Sequence, residues 1–151
     1  MHVEYITHAS LLFDDGKTRL LTDPFYFFEK LIASFICHYP NRDLSPDYFP
    51  KLDTVFCSHI HDDHCHKKTL LALQDKIGCI LLPAGQSHFE KKIRSYDFNN
   101  IAFLENEKTH LFPNGLKLTC FHDKNRVDTA LIVEWQDKTF LHQNDCRLDL
   151  A

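Results

Sequence analysis

The stretch that most constrains this chain is Cys57-Ser58-His59-Ile60-His61-Asp62-Asp63-His64, which continues the apolar run Thr54-Val55-Phe56-Cys57. Alternate side chains of a strand share a face, so His59 and His61 converge on one point as the strand ends. The turn that follows swings Asp63 and His64 toward a second point nearby. Imidazole and carboxylate are donors that zinc and its first-row neighbours accept. With 11 histidines in 151 residues an isolated His-x-His is commonplace. The same pair followed by Asp-His behind a β-like run is far more specific.

HIHDDH resembles the HxHxDH signature of the metallo-β-lactamase fold superfamily. The pair THAS (7–10) and LLTDP (20–24) resembles the opening hairpin of one branch. That branch holds the L-ascorbate-6-phosphate lactonase-like proteins and N-acyl phosphatidylethanolamine phospholipase D. The segments ICHYPNRDLSPDYFPKLDTVFCSHIHDDHCHKKTL and FLHQNDC also resemble the β-lactamase-like domain of CMP-N-acetylneuraminate hydroxylase. That family carries an additional Rieske iron–sulfur domain; nothing precedes Met1 to supply one, so hydroxylation by this chain alone is not expected.

The resemblance implies an α/β fold, the four-layer αββα sandwich built from two similar halves. This chain would supply mainly the N-terminal half plus the strands leading to a bridging aspartate. The expectation is a single, incomplete domain over residues 1–151, a C-terminally truncated gene product in preference to a chain that has lost its second half and much of the activity with it. By resemblance His59, His61 and His122 hold one ion, Asp63 and His64 a second, and Asp145 bridges the two. Asp63 is also the candidate catalytic residue. A late histidine completes the second site in the superfamily, and residues 146–151 hold none.

The residues themselves are compatible with those roles. His122 ends the apolar run of Leu116, Leu118 and Cys120 as His59 ends its own, and Asp145 follows Phe140-Leu141-His142-Gln143-Asn144. His110 and His142 compete as donors; His142 lies within a strand and is read as pointing elsewhere or supporting a ligand. Asp62 is either a solvated turn residue or a support for a ligand histidine. His8 and Asp23 fall near the branch's metal-side loops. Their local reading is plainer: a strand-end residue bonded to backbone, and a turn former before proline.

Taken in order, Val3–Ile6 begins a strand and Ser10–Phe13 continues its apolar pattern to a turn at Asp14-Asp15-Gly16-Lys17. Residues 18–22 return as the second arm of that hairpin. Phe28, Leu31, Ile32, Phe35 and Ile36 fit one face of a helix, as core or as a pocket wall. Residues 66–73 read as a helix with Leu70, Leu71 and Leu73 available for burial, and 78–82 as a buried strand. Ser87 and Glu90 form a capping-box pattern opening a helix through about Tyr96, with His88 at its surface. Residues 101–104 make the next strand, and the alternation implies α/β layering. Two hairpins follow, 109–112 with 116–122 and 129–135 with 139–142.

A net charge of −4 gives no basic face for phosphate backbones and argues against nucleic acid. No apolar run approaches the ~18 residues of a membrane span, and MHVEYITHAS has no signal-peptide character, so cytoplasmic residence is expected. Six cysteines without close pairing read as reduced thiols there. The functional expectation is a metal-dependent hydrolase acting on a phosphoester, lactone or ester small molecule. Two cations would lower the pKa of a bridging water, zinc by default, with manganese or iron fitting the same donors. The alternative is a non-catalytic module that binds a metal or a phosphorylated metabolite. A homo-oligomer partner, or the second half of the domain, would cover the cut edge.

Overall fold

In the computed structural model, which describes residues 1–26, 44–125 and 127–147, the front of the chain forms three antiparallel strands. These are β1 (His2–Thr7), β2 (Ser10–Asp14) and β3 (Arg19–Thr22). The apolar pattern over residues 3–13 is therefore not one arm. Thr7 pairs with Ser10, and the chain reverses at His8-Ala9, where no glycine, proline or asparagine marks a turn. The second reversal is the expected one. Gly16 takes φ +85° and its amide donates to Asp14 Oδ1 at 2.6 Å, while β2 and β3 pair antiparallel.

From β3 the pairing turns parallel, through β4 (Leu52–Phe56), β5 (Ile77–Pro83) and β6 (Ile101–Leu104). The crossovers carry α1 (Lys67–Ala72) and α2 (Ser87–Arg94), and the six strands lie in sequence order across the sheet. Parallel strands buried on both faces read as continuous apolar runs, and their period of two sorts the side chains. Val55, Cys57, Ile80 and Leu82 pack with Leu70, Leu73, Phe89 and Ile93 of the helical layer. Phe56, Leu81, Phe13 and Leu20 face the other way. In α1 Leu70 is buried as expected, but Leu71 is 41 % exposed. The capping box over Ser87 and Glu90 does not form: Gln86 holds the cap position without a side-chain hydrogen bond, and the helix ends at Arg94. The helix expected around Phe28–Ile36 lies outside the described residues.

The second sheet is the meander β7 (Thr109–Leu111), β8 (Lys117–His122), β9 (Thr129–Trp135) and β10 (Lys138–His142). Gly115 at φ +85° and Gln136 at φ +56° make its expected turns. Leu118, Leu131, Val133 and Trp135 close against Phe13, Phe56 and Leu81 of the first sheet. The result is helix on sheet on sheet, the α/β layering that one half of an αββα sandwich plus its following strands provides. Strand β10 is an outer strand, and Leu141 on it is 53 % exposed.

This topology brings several strand ends together. Thr22 of β3 is in register with Phe56 of β4, so Asp23 and the 57–64 stretch leave the sheet side by side at its carboxyl edge, where open α/β sheets place their sites. His122 pairs with Thr129, and His142 with Leu131, so the tips of β8, β9 and β10 reach one end of the second sheet.

Candidate metal centre

The loop after β4 is held from below by one carboxylate. Asp23 is fully buried, takes φ +41°, and donates its backbone amide to Phe56 O at 2.8 Å. Its Oδ1 accepts from the Ser58 amide at 2.7 Å, and its Oδ2 from the Ser58 hydroxyl at 2.9 Å. The same Oδ2 lies 3.0 Å from His64 Nδ1 and 2.9 Å from His142 Nε2. Burial alone would raise this carboxyl, but the hydrogen bonds from His142 and His64 outweigh it and hold it well below its ordinary value. Asp23 is thus an ionised hub as well as the residue at which the chain bends before Pro24.

The hub fixes ring orientation. Ser58 gives its hydroxyl proton to Asp23, so the 3.0 Å contact between Ser58 Oγ and His59 Nδ1 is a donation from the imidazole. With the proton on Nδ1, the lone pair of His59 sits on Nε2. His64 likewise donates from Nδ1 to Asp23, which turns its own Nε2 outward. Both Nε2 atoms are buried and lack a hydrogen-bond partner, as does Asp128 Oδ1. Burial, then the neighbouring His64, depresses the His59 pKa. Burial acts the same way on His64, but the hydrogen bond to Asp23 overrides it and the net shift is upward.

Around those orphaned nitrogens the remaining donors gather. His59, His61 and Asp128 offer ligand atoms all within 4.8 Å of one another, as do His59, His64 and Asp145, and His8, Asp63 and His64. His59 Nε2 is 3.7 Å from Asp128 Oδ1, His64 Nε2 is 3.4 Å from Asp145 Oδ2, and Asp63 Oδ2 is 3.2 Å from His8 Nε2. Asp145 is aimed by Asn144, whose Oδ1 accepts from the Asp145 amide at 2.6 Å and whose Nδ2 donates to Thr129 O at 2.8 Å. Asp62 instead pairs with Lys92 Nζ at 2.8 Å; the same ammonium reaches Ile60 O at 2.5 Å and ties the loop to α2.

Five of the six residues the sequence singled out, His59, His61, Asp63, His64 and Asp145, therefore meet. His122 belongs to none of the three groups: its Nδ1 lies 3.1 Å from Thr129 Oγ1, and its amide donates to Asn106 Oδ1. Three residues join that sequence reasoning passed over or set aside, namely Asp128, His8 and Asp23. Asp128 had a signal, being the acid that opens the strand segment DTALIVEW. His142, read from the sequence as pointing elsewhere or supporting a ligand, lies with Nε2 2.9 Å from Asp23 Oδ2. The described cysteines, Cys57, Cys65, Cys79, Cys120 and Cys146, are free thiols and take no part in these groups.

Buried nitrogens with nothing to bond cost free energy, and a cation is the partner that neutral imidazoles and carboxylates are disposed to accept. The donor set fits a metal. Beside it lies an open cavity of about 330 Å³ lined by His8, Ala9, Leu11, His142, Asn144 and Asp145.

Residues 2–150 match the family model of the β-lactamase superfamily domain. The chain belongs to that family. Cytidine monophosphate-N-acetylneuraminic acid hydroxylase of Danio rerio is 28 % identical over 94 % of this chain and 25 % of its own length. A UPF0173 metal-dependent hydrolase of Heliobacterium modesticaldum is 34 % identical over 42 % of this chain and 22 % of its own length. The chain thus spans about a quarter of the length of these curated relatives. Among solved structures, CmlA, a diiron β-hydroxylase from Streptomyces venezuelae, superposes with a TM-score of 0.74 at 20 % identity, covering 95 % of this chain and 29 % of that one. An isothiocyanate hydrolase from Delia radicum gut bacteria gives 0.74 at 19 % identity, over 93 % and 61 %. No helix among the described residues is long and apolar enough to cross a membrane.

Proposed function

We propose that this chain carries a metal-dependent hydrolase centre acting on a small phosphoester, lactone or ester. One observation carries the reading: two buried imidazoles, His59 and His64, are each pinned through Nδ1 and present an unpartnered Nε2 to the same cluster of carboxylates. His59, His61 and Asp128 would hold one cation, Asp63 and His64 another, and Asp145 reaches toward both. His122, the donor implied by resemblance, is the alternative to Asp128 at the first position. A bound divalent cation supplies Lewis acidity and makes water a nucleophile near neutral pH. Zinc is the first candidate; the three carboxylates suit manganese and iron as well.

The protein's own part is orientation. Asp23 and Ser58 keep the two imidazoles in the ligating tautomer, a support whose loss typically costs about 10–100-fold in metal affinity or activity. Asp63 and Asp145 would hold a proton of the attacking water. The open cavity admits a small molecule, and His8 and Asn144 on its wall offer polar contacts to it. Expected residence is cytoplasmic, and the outer strand β10 offers an edge to a second copy or to further chain.

The test is metal analysis of the purified chain together with a phosphodiester and lactone turnover screen, repeated on His59→Ala. Metal-dependent turnover lost in the variant supports the proposal. Equal turnover by both proteins eliminates the chemistry, and metal bound without turnover favours a binding module, the reading that the chain's quarter-length match to its curated relatives recommends second.

A further inference from the structure

The β1–β2 hairpin has only His8 and Ala9 in its loop, and His8 sits at φ +50°. A two-residue hairpin whose first loop position has positive φ is suited to glycine, and a branched or ring-bearing residue there is strained. Such strain persists where the side chain performs a task that glycine cannot. The ring that this backbone projects reaches Asp63, with Nε2 3.2 Å from Oδ2, and meets His64 edge-on at 5.1 Å between centroids. Phe25 braces it from another side at 5.6 Å. The ligand atoms of His8, Asp63 and His64 lie within 4.8 Å of one another, and the buried Nε2 of His64 has no hydrogen-bond partner. The His8 side chain is one-third exposed on the wall of the open cavity, so an ion can reach it.

We propose that His8 is the third protein ligand of a second divalent-cation site, with Asp63 and His64. The inference rests on the metal-centre reading above, with the first cation at His59, His61 and Asp128.

The experiment is a titration of the metal-stripped chain with Co²⁺, followed by its visible spectrum and by X-ray absorption at the metal edge. Wild type, His8→Gly and His61→Ala are compared. Wild type binds two equivalents. His8→Gly loses the second equivalent or weakens it by about tenfold or more, with one imidazole fewer per two metals; His61→Ala weakens the other. Because glycine relieves the turn, metal-free His8→Gly melts at or above the wild-type temperature, so its loss of metal is not a loss of fold. Two equivalents bound unchanged by His8→Gly overturn the proposal. One equivalent in wild type overturns it too but leaves a mononuclear hydrolase standing, and none removes the metal reading itself.

Discussion

Asp23 Oδ2 and His64 Nδ1 lie 3.0 Å apart with both residues fully buried, although 41 positions separate them. The same carboxylate holds Ser58 and His142, so its removal strands four donors at once. Breaking a buried charge-assisted set by deleting one partner costs about 3–5 kcal/mol. Asp23→Ala is expected to lose stability of that order in urea denaturation, and Asp23→Asn somewhat less. Both should also weaken metal binding by about 10–100-fold, since the ring of His64 loses its anchor.

The acid limb of stability follows from the same residue. The Asp23 carboxyl is held below its ordinary 3.8 in the folded chain, while the unfolded chain keeps the ordinary value. The unfolded state therefore binds the proton first as pH falls. Its stabilisation is complete at pH above the ordinary value and is lost as pH drops through and below 3.8. In EDTA, wild-type unfolding free energy should fall steeply on that limb. The Asp23→Asn profile should be flatter there; parallel limbs would show that Asp23 is not the group responsible.

Ser58 tests the tautomer argument separately from the charge. Its hydroxyl joins His59 Nδ1 to Asp23 Oδ2, at 3.0 and 2.9 Å. Ser58→Ala leaves a buried N–H on His59 unpaired, at a cost of about 1–3 kcal/mol. It also frees the ring to carry its proton on Nε2, the ligating atom. The expected outcome is weaker metal binding, read by competition with a chromogenic chelator, with the fold intact by circular dichroism.

What could be read from the sequence was what is dense and local. HIHDDH declares itself because five imidazoles and carboxylates fall within six residues, and the continuous apolar run of β5 announces a strand covered on both faces. The hairpins with Gly16 and Gly115 at their tips were legible because positive φ demands such residues. The β1–β2 turn was not, because His8-Ala9 violates that rule, and so the residue that the turn aims at Asp63 was set aside. Asp23 was hidden for another reason. Its partners lie 35, 41 and 119 positions away, and only the register of β3 against β4 and the return of β10 bring them together. The capping box over Ser87 and Glu90 was a local signal that packing of Phe89 and Ile93 made unnecessary.

The contact between the two sheets sets the stability of the whole platform. Phe56 is fully buried there among Phe13, Leu20, Leu81 and Trp135. Phe56→Ala opens a cavity between layers that cannot close independently, which costs about 3–5 kcal/mol. Denaturant midpoints should fall accordingly. Since Phe56 also abuts the strand end that carries Cys57-Ser58-His59, metal affinity should fall along with stability.

The last prediction separates Asp128 from His122. Asp128 Oδ1 is buried, lacks a hydrogen-bond partner, and lies 3.7 Å from His59 Nε2, whereas His122, its Nδ1 3.1 Å from Thr129 Oγ1, falls in none of the three donor groups. Asp128 also stands within 4.8 Å of both His59 and His61 donors. If the gathering seen in the chain is the coordination set, Asp128→Asn weakens the metal held by His59 and His61 far more than His122→Ala does, read as Co²⁺ affinity for each variant. Asparagine preserves the volume and removes one anionic donor, so packing is not the cause of any difference. Should His122→Ala prove the more damaging, the strand-end histidine is the third ligand and Asp128 supports it from beside Thr129.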